Sequence, residues 1–200
     1  MAIAKFEKVS LETWLKAFQN GNNAEMSESD KAELTEFWEN IRLPERATKG
    51  SAGYDFFTPI PIGPLTPFMS QCIPTGIKCK MDDGWVLLMM PKSRYHEWRL
   101  GLDYTIGVID SDYYNNPQTE GQMFIYLNNG LPPTPPRKNP ITNKLEINKA
   151  DIFGCKPGTP IVQGIFLPYG IAEEVEPTTT RSGGFGSTGN LDNPKSPIIT

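Results

Sequence analysis

Two stretches near the N-terminus place hydrophobic residues three or four positions apart, which is the spacing of one face of an α-helix. The first set is Leu11, Trp14, Leu15 and Phe18, and the second is Leu34, Phe37, Trp38 and Ile41. Gly21 follows the first set as a stop signal. Ser27 or Ser29 can start the second helix, and Pro44 lies beyond its end. We predict a two-helix extension over residues 1–43, whose apolar stripes pack as core or as an oligomer contact, with a dedicated partner surface as the alternative.

Short apolar runs divided by Pro and Gly replace the helical spacing after Pro44. Such runs are typical of strands, here near residues 68–78, 85–90, 102–109, 122–127, 145–152 and 161–167. Many short strands at roughly regular spacing predict a mainly β domain, which we place over residues 44–177 as a sandwich, barrel or jelly roll. The proline-rich segment 130–149 cannot be a central strand because proline lacks the ladder donor, so we predict a long exposed hairpin loop there.

The charge balance restricts the possible partners. With 19 Lys and Arg against 23 Asp and Glu, the net charge is -4. We therefore expect no nucleic-acid partner, because general affinity for the phosphate backbone requires an excess of cations. No apolar run approaches the ~20 residues that a membrane helix needs, and no secretory signal opens the chain. We expect a soluble protein with no membrane partner.

The cysteines and the histidine exclude the common metal sites. Cys72, Cys79 and Cys155 are odd in number and lack paired metal spacing, so neither a disulfide framework nor a zinc site is predicted. A reducing cytoplasm is the expected location. The single histidine, His96, cannot form a two-histidine metal site and is interpreted as a surface residue.

The change from apolar to acidic residues at Asp110 is the first candidate for chemistry. Val108 and Ile109 are β-branched and predict a half-buried strand that ends in a tight hairpin. Asp110 would then hold a carboxylate rigidly at the edge of the core, as a general base that orients water requires. The alternative is that Asp110 and Asp112 are only turn formers, because Asp side chains hydrogen-bond their own backbone in turns.

The last residues, 178–200, lose the apolar pattern and contain the Gly-rich run RSGGFGSTG at 181–189. Their composition predicts a flexible tail. A Gly-rich run with hydroxyls can also wrap phosphate through its backbone N–H groups, although no Lys and no helix follow it as in a P-loop. Arg181 and Phe185 are the unusual members, since a purely flexible tail needs neither.

Five short motifs stand out along the chain: ATKGSAGYD at 47–55, PKSR at 91–94, GVIDSDY at 107–113, PGTPIVQ at 157–163 and the Gly-rich run at 181–189. In this order and at these intervals the chain resembles the trimeric dUTP diphosphatase (dUTPase) family. The run DYYNNP that begins at Asp112 is similar to the form found in Firmicute bacteria and their phages. The resemblance covers about residues 41–189 and implies a β jelly roll assembled as a homotrimer, with sites between subunits.

The resemblance also implies roles for single residues in the hydrolysis of dUTP. Asp110 would activate water for attack on the α-phosphorus. Tyr113 would stack on the deoxyribose and exclude a ribose 2′-hydroxyl. Backbone groups around residues 104–109, including Tyr104, Gly107 and Ile109, would read uracil.

The triphosphate would be held by residues from three of the motifs. These are Lys92, Ser93, Arg94, Gln163 and Arg181, with Phe185 covering the uracil ring and Gly186, Ser187 and Thr188 closing over the phosphates. Mg²⁺ would be held chiefly by the triphosphate oxygens, with no direct protein ligand and with Asp55 at most touching its water shell. Positioning and charge neutralisation are sufficient equipment for this chemistry.

Three features depart from the family pattern. The phosphate motif usually reads Arg-Ser, whereas here it reads Lys92-Ser93-Arg94, and lysine lacks the guanidinium fork. Tyr104 stands where Asn or Gly is common, so we expect a differently shaped base pocket. The fifth motif is one residue shorter than in many relatives.

Two other functions fit the same body. Deamination of dCTP shares the fold but needs a Glu as acid and base, where this chain has Asp110. A dUTPase-like regulatory module would bind a protein partner through the N-terminal helices or the proline-rich loop, with or without catalysis. An unrelated β domain is the remaining alternative.

Overall fold

The computed structural model describes residues 2–19, 26–132, 134–135, 137–139, 141–146 and 148–173. Within these ranges the chain is mainly β, as predicted. The strands in chain order are β1 Ala4–Lys8, β2 Glu45–Arg46, β3 Tyr54–Phe57, β4 Ile62–Leu65, β5 Ser70–Pro74, β6 Ile77–Met81, β7 Trp85–Pro91, β8 Leu100–Leu102, β9 Gly107–Ile109, β10 Phe124–Asn129, β11 Arg137–Lys138, β12 Leu145–Glu146, β13 Phe153–Cys155 and β14 Pro160–Pro168. The α-helices are α1 Leu11–Lys16 and α2 Glu28–Glu39. Neither they nor the short 3₁₀ helices in the described ranges could cross a membrane.

Both predicted N-terminal helices form, and each begins after a serine cap. Ser10 Oγ accepts from Thr13 N at 3.1 Å, and Ser27 Oγ accepts from Asp30 N at 3.1 Å. Of the two candidate start signals, Ser27 is the one used. Strand β1 was not predicted, because its sequence AKFEK is short and has one large apolar residue. It pairs antiparallel with β6 and so joins the extension to the β domain.

The extension contributes to the hydrophobic core. Trp14 is fully buried, and its indole Nε1 donates to the Leu34 carbonyl at 2.8 Å, which ties α1 to α2. Ile41 and Trp14 pack over Gly76, whose φ is +68°. A Cβ there would lie 2.2 Å from Ile41 Cδ1, so only glycine allows this contact. The apolar stripes thus contribute Trp14 and Ile41 to the core, as interpreted from the sequence. The domain boundary at residue 43 stays a prediction.

The largest sheet has five strands in the order β2-β3-β14-β7-β9, and every pairing in it is antiparallel. Strand β14 places Gln163 opposite Asp55 of β3 on one side and opposite Met90 of β7 on the other. The edge strand β9 pairs with β7, with Ile109 opposite Leu87. The two ends of β7 therefore border the two groups of predicted site residues.

A second sheet, in the order β5-β10-β8, lies with the pairs β1-β6 and β13-β4 around the same core. Two of the predicted strands are divided here. The run 68–78 becomes β5 and β6, which are separated at Thr75 and the positive-φ Gly76. The run 102–109 becomes β8, which pairs with β10, and β9, which pairs with β7.

The tight hairpin predicted after Ile109 is wrong. A 3₁₀ helix, Ser111–Tyr113, follows β9, and β9 does not pair with the next strand, β10. The single strand predicted over 145–152 is also wrong, because the Asn148 side chain accepts from Ala150 N at 3.1 Å and caps a 3₁₀ helix at Lys149–Asp151. Within the proline-rich segment, β11 and β12 pair as a short hairpin, as expected.

Candidate active site

Asp110 lies where β9 ends and the 3₁₀ helix begins. Ile109 before it is 3% exposed and Val108 is 53% exposed, so the strand is half-buried, as its sequence predicted. Tyr113 N donates to the Asp110 carbonyl at 3.2 Å. The Asp110 side chain makes no capping hydrogen bond to this helix. The turn is therefore closed through the backbone carbonyl of Asp110.

The Asp110 carboxylate borders a surface cavity of about 530 Å³. This volume lies within the range of roughly 300–1,000 Å³ that is usual for small-molecule sites. The cavity is lined by Val86, Leu88, Val108, Asp110, Ser111, Asp112 and Tyr169. Leu88 and Val108 are partners across β7 and β9, so they place apolar side chains next to the acids. Sequence reasoning missed Val86, Leu88 and Tyr169. The alternation along β7 could have identified the first two, whereas no pattern marks Tyr169.

The turn at 103–106 connects β8 to β9 and includes the first part of the stretch 104–109 that was predicted to read uracil. Its flanking strands belong to different sheets, so it is not a hairpin of paired strands. Thr105 has φ +63°, and its N–H donates to the Leu102 carbonyl at 2.8 Å. Ile106 N donates to the Tyr104 carbonyl at 2.7 Å. These two bonds fix the backbone of the turn.

The Tyr104 side chain is directed at the neighbouring sheet. Its hydroxyl donates to the Phe124 carbonyl at 3.0 Å, and burial raises the pKa of Tyr104 to about 12. Its ring lies against buried Gly107, where a Cβ would be 3.0 Å from Tyr104 Cε2. The departure from the family pattern at Tyr104 is thus accommodated by contacts that hold the turn against β10 and β9.

Tyr113 is only 3% exposed, so little of its ring surface is open to a ligand. Its hydroxyl donates to the Gln122 carbonyl at 2.7 Å and lies 3.3 Å from Thr119 Oγ1. These bonds tie the 3₁₀ helix to the start of β10. The predicted contact with deoxyribose stays a prediction, and it would involve the small exposed part of Tyr113.

A second group of predicted residues meets on the sheet β3-β14-β7. Lys92 Nζ forms an ion pair with Asp55, and both side chains are largely buried, with 17% and 14% exposed. Gln163 lies opposite Asp55 and covers Gly53, where a Cβ would be 1.9 Å from Gln163 Nε2. The first, second and fourth motifs therefore converge in one place.

Ser93 and Arg94 begin a 3₁₀ helix directly after Lys92, and both are exposed. The Arg94 guanidinium lies 5.4 Å from the ring centroid of Tyr95. Tyr95 itself is buried, and its hydroxyl donates to the Pro160 carbonyl at 2.7 Å. The anchored tyrosine thus presents Ser93 and Arg94 to solvent beside the Lys92–Asp55 pair.

One chain does not bring these two groups together. The β7 register places Leu87 opposite Ile109, so Asp110 lies level with Val86 at one end of β7. Lys92 follows the other end, six residues further along. At ~3.3 Å per residue the separation is roughly 20 Å. Within one chain, Asp110 and Lys92 thus lie at opposite ends of β7.

The remaining predicted contacts lie outside the described residues. These are Arg181, Phe185, Gly186, Ser187 and Thr188. Among the described residues, no group of three or more His, Cys, Asp or Glu side chains could hold a metal ion. Asp55 forms an ion pair with Lys92, and its predicted contact with the water shell of Mg²⁺ stays a prediction.

Comparison with known proteins identifies the family. A profile of the dUTPase family matches residues 39–123. The deoxyuridine 5′-triphosphate nucleotidohydrolase of Lactococcus lactis subsp. lactis (strain IL1403) is 37% identical over 152 residues, which are 74% of this chain and 89% of that protein. The chain belongs to the dUTPase family. The jelly-roll fold expected from the resemblance is therefore confirmed.

Solved dUTPase structures agree with this assignment. The dUTPase of Streptococcus mutans is 30% identical with a TM-score of 0.53, and the match covers 68% of this chain and 91% of that one. A mutant dUTPase of Staphylococcus bacteriophage 80alpha, solved with dUpNHpp, is 25% identical with a TM-score of 0.53 and coverages of 76% and 94%. Both relatives agree with the predicted Firmicute and phage form.

The family match includes the sites at Asp55, Lys92 and Asp110 but not the start of the chain. Strand β1, helix α1 and almost all of α2 precede residue 39. The matched range therefore leaves out most of the predicted N-terminal extension, whose boundary stays a prediction.

Proposed function

We propose that this dUTPase hydrolyses dUTP to dUMP and pyrophosphate, with Asp110 as the general base for attack of water on the α-phosphorus. The observation that carries the proposal is the position of Asp110, at the end of a half-buried edge strand and beside a cavity of about 530 Å³. A base held on a strand keeps its geometry without reorganisation. Positioned general-base catalysis contributes roughly 10²- to 10⁴-fold to a rate.

The nucleoside is recognised on the same side of the protein. The backbone of residues 104–109 reads uracil, and its shape is fixed by the bonds of Thr105 and Ile106 and by the anchored Tyr104 side chain. A fixed pattern of donors and acceptors discriminates against the amino group of cytosine, because buried polar groups would be left unpaired. Tyr113 contacts the deoxyribose.

The phosphates are bound by Lys92, Ser93, Arg94 and Gln163, and the Lys92–Asp55 ion pair supports this assignment because it holds the lysine in place. Arg181, Phe185, Gly186, Ser187 and Thr188 complete the enclosure of the substrate. Bound Mg²⁺ supplies further neutralisation of the triphosphate charge, with Asp55 near its water shell. Exclusion of bulk water strengthens each of these electrostatic contacts.

The active form is a homotrimer in which neighbouring subunits complete each site. The separation of roughly 20 Å between the Asp110 end and the Lys92 end of β7, at ~3.3 Å per residue, supports this proposal. A triphosphate cannot contact both groups of one chain if Asp110 is to stand at its α-phosphorus. Three free cysteines, Cys72, Cys79 and Cys155, agree with the proposed cytoplasmic location.

Incubation with dUTP, dCTP, dTTP or UTP and Mg²⁺, with products separated by chromatography, tests the proposed function. We expect dUMP and pyrophosphate from dUTP, with much slower turnover of the other three nucleotides. Release of orthophosphate, or comparable turnover of dCTP, would contradict the assignment.

A further inference from the structure

The N-terminal extension is bonded to the loop that follows the proposed general base. Glu120, in this loop, accepts hydrogen bonds from Ser10 N at 3.1 Å and Thr13 Oγ1 at 2.7 Å, and also from Ser10 Oγ. Lys78 Nζ lies 3.3 Å from the same carboxylate. Glu120 thus connects its loop to the start of helix α1, 110 residues earlier in the sequence, and to strand β6.

A second contact joins the same two parts of the protein. The Tyr114 hydroxyl donates to the Glu7 carboxylate of β1. Lys78 stands between the two contacts, since it lies 5.2 Å from the Tyr114 ring centroid and donates to Asn115 Oδ1 at 2.7 Å. The contacts therefore hold both ends of the segment 114–120.

Glu120 occupies an unfavourable backbone conformation. Its φ is +54°, in the left-handed region that side chains other than Gly and Asn rarely adopt. Such strain persists where the surroundings fix the residue. Nothing in the backbone of this turn requires a side chain at position 120, so the carboxylate and its contacts explain why the residue is not glycine.

Hydrogen bonds transmit this anchor to Asp110. Asn115 N donates to the Glu120 carbonyl at 3.0 Å, and Asn116 Nδ2 donates to the Tyr113 carbonyl at 3.0 Å. Tyr113 N in turn donates to the Asp110 carbonyl at 3.2 Å. The loop is thus a continuous bonded unit from the extension to the residue that bears the proposed base.

We propose that Glu120 is a positioning residue for the reaction, through which the N-terminal extension holds the loop 111–121, and with it Asp110 and Tyr113, in catalytic geometry. The expected effect of Glu120 on turnover rests on the proposed function. Glu120 holds the loop 111–121 in place whether or not a substrate is bound. A misplacement of about 1 Å can lower a rate by as much as 10²-fold, so loss of this anchor acts on kcat.

Variants at the anchor test this proposal in the full-length protein. Glu120→Ala removes the carboxylate, and Glu120→Gly removes it while relieving the positive φ, which keeps the test valid if the alanine variant folds poorly. Thr13→Ala removes the helix α1 hydroxyl that donates to the Glu120 carboxylate. Glu12→Gln is the control, because Glu12 is exposed on the same helix and pairs with Lys16 within it.

We expect Glu120→Ala and Glu120→Gly to lower kcat by roughly tenfold at a temperature where each variant is folded, with a smaller change in KM. Glu120→Gln, which keeps the acceptor oxygen, should restore part of kcat. Thr13→Ala should have a smaller effect alone and little further effect when combined with Glu120→Gly. Glu12→Gln should leave kcat unchanged.

Hydrogen exchange without substrate supplies the readout that does not depend on activity. Amides of residues 111–121 should exchange faster in Glu120→Gly than in the wild type. Their exchange rates in Glu12→Gln should equal those of the wild type. Unchanged exchange overturns the proposal, and faster exchange with unchanged kcat shows a merely structural contact and also overturns it. If the wild type does not hydrolyse dUTP but exchange responds as expected, the proposed function fails while the anchor stands.

Discussion

Three observations describe the position of Asp110. Its backbone closes a turn, its side chain makes no capping hydrogen bond to the helix that follows, and it borders the cavity at the end of β9. Asp112 borders the same cavity but is exposed within the 3₁₀ helix. The two carboxylates therefore differ in how rigidly the strand holds them.

Replacement of Asp110 by Asn should preserve folding and nucleotide binding but lower turnover by at least ~10²-fold, because the amide cannot accept a proton. Asp112→Asn is the matched control and should lower turnover much less. Steady-state kinetics with dUTP and calorimetric binding of a non-hydrolysable analogue measure both variants. Near-wild-type turnover by Asp110→Asn would show that the wrong carboxylate has been chosen.

At single positions the sequence predicted which motif residues lie together but not the side-chain contacts that hold the neighbouring loops. The motifs identified Asp55, Lys92 and Gln163 as site residues, and the structure brings these three together. The hydroxyl contact of Tyr104 and the anchoring role of Glu120 could not be predicted. Each depends on a partner 20 or more residues away or on a left-handed backbone, and local pattern encodes neither.

Most elements could be predicted where hydrophobic periodicity was strong. Both helices and strands β7 and β14 agree closely with the predicted positions. The misses occur where tertiary contacts decide the outcome. Strand β1 forms because β6 offers an edge for it, and residues 102–109 divide because β10 and β7 each pair with one part.

The contact between helix α1 and the loop 111–121 predicts that the stability of the protein depends on pH. Burial alone disfavours the charged form of Glu120, but hydrogen bonds from Ser10, Thr13 and Lys78 outweigh it and lower the pKa to about 2 from 4.5. Because the folded-state pKa is depressed, the stabilisation is complete above the unfolded pKa near 4.5 and is lost as the pH falls toward 2.

Glu120→Gln isolates this effect, since glutamine does not titrate. The wild type should be more stable than the variant near pH 6, and the difference should shrink by about pH 3 as the carboxyl of the unfolded state becomes protonated. Urea unfolding at the two pH values measures the difference. A difference that stays constant between them would show that the charge of Glu120 does not contribute.

At the scale of the whole molecule, one chain holds two groups of predicted site residues at opposite ends of β7. The jelly roll could be predicted from the family resemblance of the motifs, whereas the strand spacing alone left a sandwich, a barrel or a jelly roll open. The distance between Asp110 and Lys92 could not be predicted from the sequence, because it depends on the register of β7 with β9 and β14. The proposed trimer would complete the site from neighbouring subunits.

Mixing two inactive variants tests whether subunits share a site. Asp110→Asn and Lys92→Gln are each expected to be inactive, and the glutamine amide of the second variant can still donate a hydrogen bond to Asp55. Random reassembly of equal amounts into trimers should restore about a quarter of the wild-type activity, because one site in four then combines an intact Asp110 with an intact Lys92 from a neighbour. Activity that stays at the level of the separate variants would contradict shared sites.

The position of bond cleavage tests the central claim most directly. Hydrolysis of dUTP with Mg²⁺ in ¹⁸O-labelled water, followed by mass spectrometry of both products, shows which phosphorus the water attacks. Attack on the α-phosphorus predicts one ¹⁸O atom in dUMP and none in pyrophosphate, at a rate that falls at least ~10²-fold in Asp110→Asn. Label in pyrophosphate, or labelled dUMP formed at an unchanged rate by Asp110→Asn, would contradict the account.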